Sequence, residues 1–205
     1  MQRELISLSE ADLKNLQQKS LDIAKYVVSF CRERDIRVYN GRFPEIYKRF
    51  RDIYNDTMNR DGAEAYYYFS EKFYNSVLND LPQNAQVFWA EKDGVIIASS
   101  IMLAANGYMN YHLSGSLREY AHFASNNLLL YSAALWGCAN GYRTLYLGGG
   151  VGSGEDSLFK FKRAFYKGEL NHFYIGKRIY DQEKYDELVG MREPTVSRYF
   201  PKYRA

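Results

Sequence analysis

The stretch from Thr144 to Phe165, TLYLGGGVGSGEDSLFKFKRAF, sets five glycines ahead of two carboxylates and a basic, aromatic run. Two chemistries could use it: a backbone cradle for phosphate, or a turn that delivers one lysine to a site. A phosphate loop needs glycine-flanked N–H groups, then a Lys that reaches the phosphates and a Ser or Thr for magnesium. The GxxxxG spacing runs from Gly149 to Gly154, but Glu155 and Asp156 follow it, and two carboxylates there would repel a polyphosphate. The dinucleotide pattern GxGxxG also fails, because Gly150 and Gly152 are followed three residues later by Glu155. The glycines therefore read as a turn.

Asp156 or Ser157 is placed to cap a helix that begins at once, its side-chain oxygen accepting a free N–H of the first turn. On a helical projection Phe161, Phe165, Leu158, Tyr166 and Phe159 form one arc, and Arg163, Lys167 and Lys160 another. Lys162 falls in the middle of the apolar arc. Either its stem packs while the ammonium snorkels outward, or it aims a cation into a cleft, where it stabilises developing negative charge.

The elements that must position this lysine can be traced along the chain. Residues 9–34 carry apolar positions at Leu13, Leu16, Ile23, Val27 and Phe30, a helical stripe that needs a partner surface. DIRVY at 35–39 reads as a short strand and the following NG as a turn. Pro44 starts a second helix through about Asn59, and YYYFSEKFYNSVLNDL reads as a third, closed by Pro82. Three apolar strands separated by KDG and ANG then predict an antiparallel meander. NNLLLYSAALWGCANG follows, opening on Asn caps, apolar on all sides and ending at Gly141, which predicts a buried helix. YRTLYL is a strand, parallel to the last meander strand by a right-handed crossover. The glycine turn, the lysine helix and a final strand in NHFYIGKRIYD complete the pattern.

With 205 residues the chain can form one sizeable domain, and its net charge of +3 permits an anionic ligand without demanding nucleic acid. The 20 tyrosines suit sugar or peptide clefts, although most are expected at the edge of the core. Cys31 and Cys138 are far apart and outside any CxxC pair, and His112, His122 and His172 add no metal-ligand spacing, so no metal site is expected. The opening MQRELISLSEADLK has no apolar leader, and eighteen consecutive apolar residues occur nowhere. Together these predict a cytoplasmic protein without a transmembrane segment.

This element order resembles the GNAT acyltransferase fold. Several stretches look more specifically like the second domain of Fem-type aminoacyltransferases, which add amino acids to peptidoglycan precursors: IYNDTMNRDGAEAYYYFSEKFY, YHLSGS, NNLLLYSAALWGCANGYRTLYLGGG, DSLFKFKRAF and RYFPKYR. The resemblance implies an α+β fold whose mixed sheet holds an antiparallel meander and a parallel strand pair flanked by helices. It implies a helical arm over 1–35 and an acyltransferase domain over 36–205. By the resemblance Lys162 matches a lysine important for acyl transfer, and Ser114, Asn126, Asn127, Gly148, Gly149 and Gly150 fall where the donor is held. Arg60 and Tyr68 match a region that contacts the acceptor; Arg60 could equally cap the end of its helix. His112, on the strand whose splay grips the donor in such folds, is a candidate base or a satisfied histidine on a sheet face.

The function so implied is transfer of an acyl or aminoacyl group to an amino group of a cell-envelope precursor or sugar. The donor is acyl-coenzyme A, which suits a single compact domain, or aminoacyl-tRNA, which suits the Fem-like motifs and the basic arc. The alternative is a non-catalytic interaction module of the same fold, paired into a homodimer through its N-terminal helix. In place of the glycine-rich loop that grips coenzyme A in ordinary GNAT enzymes, this chain has SLREYAHFASNNLLL.

Overall fold

The computed structural model describes residues 3–6, 30–31, 33–151, 154–166, 168–192 and 199–204. They fall into two compact units, Met1–Lys167 and Gly168–Ala205. The first is built on a mixed sheet of β1 (Arg3–Ile6), β2 (Arg37–Gly41), β3 (Ala85–Lys92), β4 (Val95–Ala105), β5 (Tyr108–Ser116) and β6 (Thr144–Tyr146), in that spatial order. Neighbours are antiparallel up to β5, and β5 and β6 are parallel. The helices are α1 (Pro44–Arg60), α2 (Glu71–Asp80), α3 (Ser125–Ala139) and α4 (Ser157–Arg163).

Strand alternation sends side chains to two cores, one on each face of the sheet. Val38, Phe88, Ala90 and Met109 pack on one face with Leu128, Leu129 and Leu130 of α3. Tyr39, Val87 and Trp89 pack on the other with Ile46, Phe50 and Tyr54 of α1 and Tyr74 and Val77 of α2. Three consecutive buried leucines mean that α3 is covered around its circumference at its start, as its unbroken apolar sequence requires. Each such side chain contributes roughly 1.5–3 kcal/mol on burial, which fixes α3 against the sheet.

The meander, the buried helix and its parallel strand follow the sequence pattern, and Gly141 ends α3 with φ +78°. Five features differ from it. Asn40 and Gly41, expected as a turn, continue β2 and pair with Phe88 and Val87 of β3. Tyr66–Tyr68 lie in and beside a 3-10 turn (Ala65–Tyr67), and α2 starts at Glu71 after Ser70. The N-cap of α3 is Ala124, in left-handed geometry (φ 50°), so the Asn residues lie inside the first turn rather than capping it. RELI forms an edge strand, β1, paired with β2 and not foreseen from four residues with no nearby turn signal. NHFYIGKRIYD has no regular structure: Phe173 and Tyr174 are 80% and 84% exposed, and no ladder pairs the segment. Of the N-terminal stripe, Leu13, Leu16, Ile23 and Val27 lie outside the described residues, as does the pairing of chains expected through them; Phe30 packs against the core on the α3 side.

In the second unit α5 (Gln182–Gly190) is capped by Asp181, whose carboxylate accepts the Lys184 N–H at 2.9 Å. Tyr185 on this helix stacks on Phe200 and meets Tyr203 edge-on.

Candidate active site

The site begins with a register shift. Tyr111 pairs with Met102 and Leu113 with Ile101, so His112 is an extra residue in β5, a β-bulge. The bulge reverses the faces of the strand: Tyr111 packs on the α3 side and Leu113 on the α1 side, although residues two apart in a regular strand share a face. It coincides with the end of the parallel ladder, since β6 pairs with β5 only from Tyr108 to Asn110. Beyond Asn110 the β6-facing edge of β5 has no strand partner among the described residues, so the backbone groups beside the bulge are not spent on a ladder with β6.

Above this opening stands Lys162. Phe161 and Phe165 of the lysine helix pack on the core, whereas Leu158 and Tyr166 stay exposed, so the buried arc is narrower than the helical projection suggests. The Lys162 ammonium donates to the Gly149 carbonyl oxygen at 2.7 Å and lies 5.9 Å from the centre of the Tyr111 ring. Partial burial holds its pKa below the ordinary lysine value, partly offset by the Asp156 carboxylate. An ammonium has three N–H donors, so those beyond the Gly149 bond are available to an oxygen in the opening. The neighbouring Tyr111 hydroxyl has its pKa raised by burial, with Ser114 acting against the shift.

The glycine turn is closed from inside. Gly148 has φ +71°, a conformation that side chains with a Cβ rarely adopt. Asp156 caps α4 by accepting the Phe159 N–H at 2.7 Å, and its other oxygen accepts the Val151 N–H at 2.7 Å. These hydrogen bonds hold its pKa below the usual carboxylate range. A protein carboxylate thus takes the N–H that a phosphate would need, in line with the reading of the glycines as a turn.

At its far end β5 is held by α1 and α3. Gly115 faces α1 so closely that a Cβ would stand 2.9 Å from the Ile53 carbonyl oxygen and from Tyr54 Cα. Ser116 N–H donates to Thr57 Oγ1 at 3.0 Å, the Ser116 carbonyl accepts from Arg60 at 3.0 Å, and the Ser116 hydroxyl accepts from Asn126 Nδ2 at 3.2 Å. Arg60 also meets Asp56 and Asp61, so its guanidinium closes the end of β5 and the end of its own helix. Asn126 Oδ1 is buried without a donor. The turn before α3 is pinned by Cys31, whose thiol donates to the Phe123 carbonyl at 3.2 Å and is pushed up to about 11 by burial.

Among the sequence-derived candidates, the turn and α4 bring together Lys162, Gly148 and Gly149, and the Tyr111 ring beside the lysine adjoins the bulge residue His112 in sequence. Gly150 lies against Asp156 and Gly154, where a Cβ would come within 2.6 Å of the Gly154 carbonyl. His112 is exposed on the bulge, yet what burial it has lowers its pKa below 6.5. Ser114 donates to the Ser99 carbonyl at 3.3 Å within the sheet. Asn126 and Asn127 lie in the first turn of α3, and the Asn127 N–H is taken by the Ala124 carbonyl. Tyr68 donates to Asn59 Oδ1 at 2.8 Å, beside the exposed Tyr66 and Tyr67. Tyr111, Thr57 and Ser116 were not singled out from sequence; their roles arise from a bulge and from contacts more than fifty residues apart. Among the described residues no cluster of His, Cys, Asp and Glu could hold a metal, and no helix is long and apolar enough to cross a membrane.

A donor with a pantetheine arm fits these residues. The arm's amide N–H groups match the open edge of β5 and the unfilled Asn126 Oδ1. The turn before α3 lacks glycine, however, and its Phe123 packs on the core.

Residues 11–163 match the family model described as an acetyltransferase (GNAT) domain. Solved structures share the fold at low identity. FemX has a TM-score of 0.57 and 15% identity, over 80% of this chain and 56% of that one, so the chain spans little more than half of FemX. An aminoglycoside acetyltransferase from an uncultured soil metagenomic sample, solved with sisomicin, has a TM-score of 0.54 and 10% identity over 70% and 97%. Aminoglycoside N-acetyltransferase AAC(6')-Iy, solved with coenzyme A, has a TM-score of 0.51 and 13% identity over 70% and 95%. No curated protein sequence matches the chain.

Proposed function

This chain belongs to the GNAT acetyltransferase domain family and is an N-acyltransferase; from that premise we propose that it transfers an acyl group from acyl-coenzyme A to an amino group carried by a sugar or cell-envelope precursor. The observation that carries this reading is the coincidence of three features at one place: the bulge at His112, the end of the β6 ladder and the Lys162 ammonium.

Coenzyme A supplies the acyl group as a thioester, whose carbonyl carbon is open to attack by an amine. The chain's residues perform the rest. The N–H freed at the bulge and the Lys162 ammonium face the carbonyl oxygen, where negative charge grows as the amine adds and the C–N bond forms. The C–S bond then breaks and the thiolate leaves. His112, neutral at pH 7 because its pKa lies below the ordinary value, takes the proton shed by the attacking amine.

Two observations favour coenzyme A over aminoacyl-tRNA. The basic arc of α4 is partly spent locally, since Arg163 donates to the Tyr166 carbonyl. The unfilled Asn126 oxygen suits a pantetheine amide. For the acceptor, the exposed tyrosines at 66–68, with Arg60 closing the adjacent helix, offer flat apolar faces to a sugar ring, and two structural neighbours are aminoglycoside acetyltransferases.

Titration calorimetry of the full chain with acetyl-coenzyme A and, separately, with charged tRNA tests the reading. Binding of acetyl-coenzyme A, followed by acetylation of an aminoglycoside or a peptidoglycan-precursor nucleotide, is the expected result. Binding of charged tRNA alone would move the donor to the Fem type. Silence from both would favour a non-catalytic interaction module.

A further inference from the structure

The lysine is placed by a turn, and the turn is held by one carboxylate. We propose that Asp156 is a positioning residue for Lys162, fastening the glycine turn to the start of α4 so that the Gly149 carbonyl is presented to the lysine ammonium. One oxygen caps the helix at Phe159 N–H and the other takes Val151 N–H on the far side of the turn. Just before the Val151 anchor, Gly150 leaves no room for a Cβ, which would meet Asp156 and the Gly154 carbonyl, and Gly148 turns with φ +71°. A Cβ at Gly148 would point at the ammonium, 3.5 Å away. The Gly149 carbonyl is thereby fixed 2.7 Å from Lys162 Nζ. An ordinary helix cap uses one oxygen; here the second ties down the segment that supplies the lysine's acceptor.

The same carboxylate acts on the lysine's charge. Of the titratable groups around Lys162, Asp156 at the N-terminus of α4 favours the protonated form, while Tyr111 on β5 contributes a neutral ring face. Losing the carboxylate therefore releases the ammonium from Gly149 and lowers its pKa further, and both changes raise the fraction of reactive free amine at a given pH.

The consequence for transfer rests on the proposed function, but the clamp itself does not, and the test separates them. In the full chain, labelling by acetic anhydride is followed by mass spectrometry, with exposed Lys160 on the same helix as the internal standard. Asp156→Ser keeps a capping oxygen and loses the second anchor and the charge; Asp156→Asn keeps the shape and loses the charge. Both are expected to raise the Lys162-to-Lys160 labelling ratio at pH 8 at least about threefold, equivalent to about half a pKa unit, with the helical circular dichroism unchanged. An unchanged ratio in both variants would overturn the clamp. A raised ratio with full transfer activity would uphold the clamp and count against Lys162 in transfer.

Discussion

From Tyr108 to Asn110, β5 lies between β4 and β6, whereas from Tyr111 to Ser116 it has β4 as its one strand partner among the described residues. The first half spends its backbone groups on ladders and buries Met109 in the core. The second half has a bulge, an open edge, a lysine above it and an end tied to α1 and α3 through Ser116. One strand thus supplies both scaffold and site. The change from one to the other is made by shortening its neighbour and adding one residue, which frees hydrogen-bonding groups without exposing the core.

The comparison breaks most directly at Lys162. Lys162→Met keeps most of the apolar stem and removes the charge, and transfer should fall at least about tenfold while the fold remains intact. The wild-type profile should carry the sign of the shift: a group required in its protonated form loses activity as pH rises through its folded pKa. The alkaline limb should therefore begin below 10.5, the ordinary lysine value, and disappear in the Met variant. Stability should move the opposite way. Because the folded state releases this proton at lower pH than the unfolded state does, stability rises with pH across that window. Full activity in Lys162→Met, or a limb at or above 10.5, would separate the lysine from the open half.

A smaller effect sharpens what holds the open half in place. If α1 substitutes there for the missing strand, Gly115→Val should force the helix off the sheet and cost about 2 kcal/mol in denaturant unfolding. A valine tolerated without loss would show that α1 does not brace this end of β5.

Local signals carried most of the fold. The KDG and ANG turns, the apolar run of α3, the Pro44 start of α1 and the Asp156 cap are written in neighbouring residues, and each appears in the structure. The turn reading of the glycines also agrees with Gly148. The bulge was not legible, because Tyr111 and Leu113 look like simple alternation until their partners on β4 set the register. Arg60 could be read as a helix cap or an acceptor contact; its bond to Ser116, 56 residues away, depends on how α1 crosses the sheet. The alternating residues of NHFYIGKRIYD mimic a strand, but alternation alone does not provide an edge to pair with. The Asn caps expected for α3 were displaced by a backbone feature, the left-handed Ala124, that composition does not announce.

The central claim is that the open half of β5, with Lys162, receives the acyl donor. A titration of the uniformly ¹⁵N-labelled chain with acetyl-coenzyme A, read by amide chemical shifts, addresses it residue by residue. The account predicts saturable shifts at His112–Ser116, Gly148, Gly149 and the first turn of α3, with Tyr108 and Met109 little changed. Saturable binding that leaves His112–Ser116 and the glycine turn unmoved while shifting residues elsewhere would contradict it.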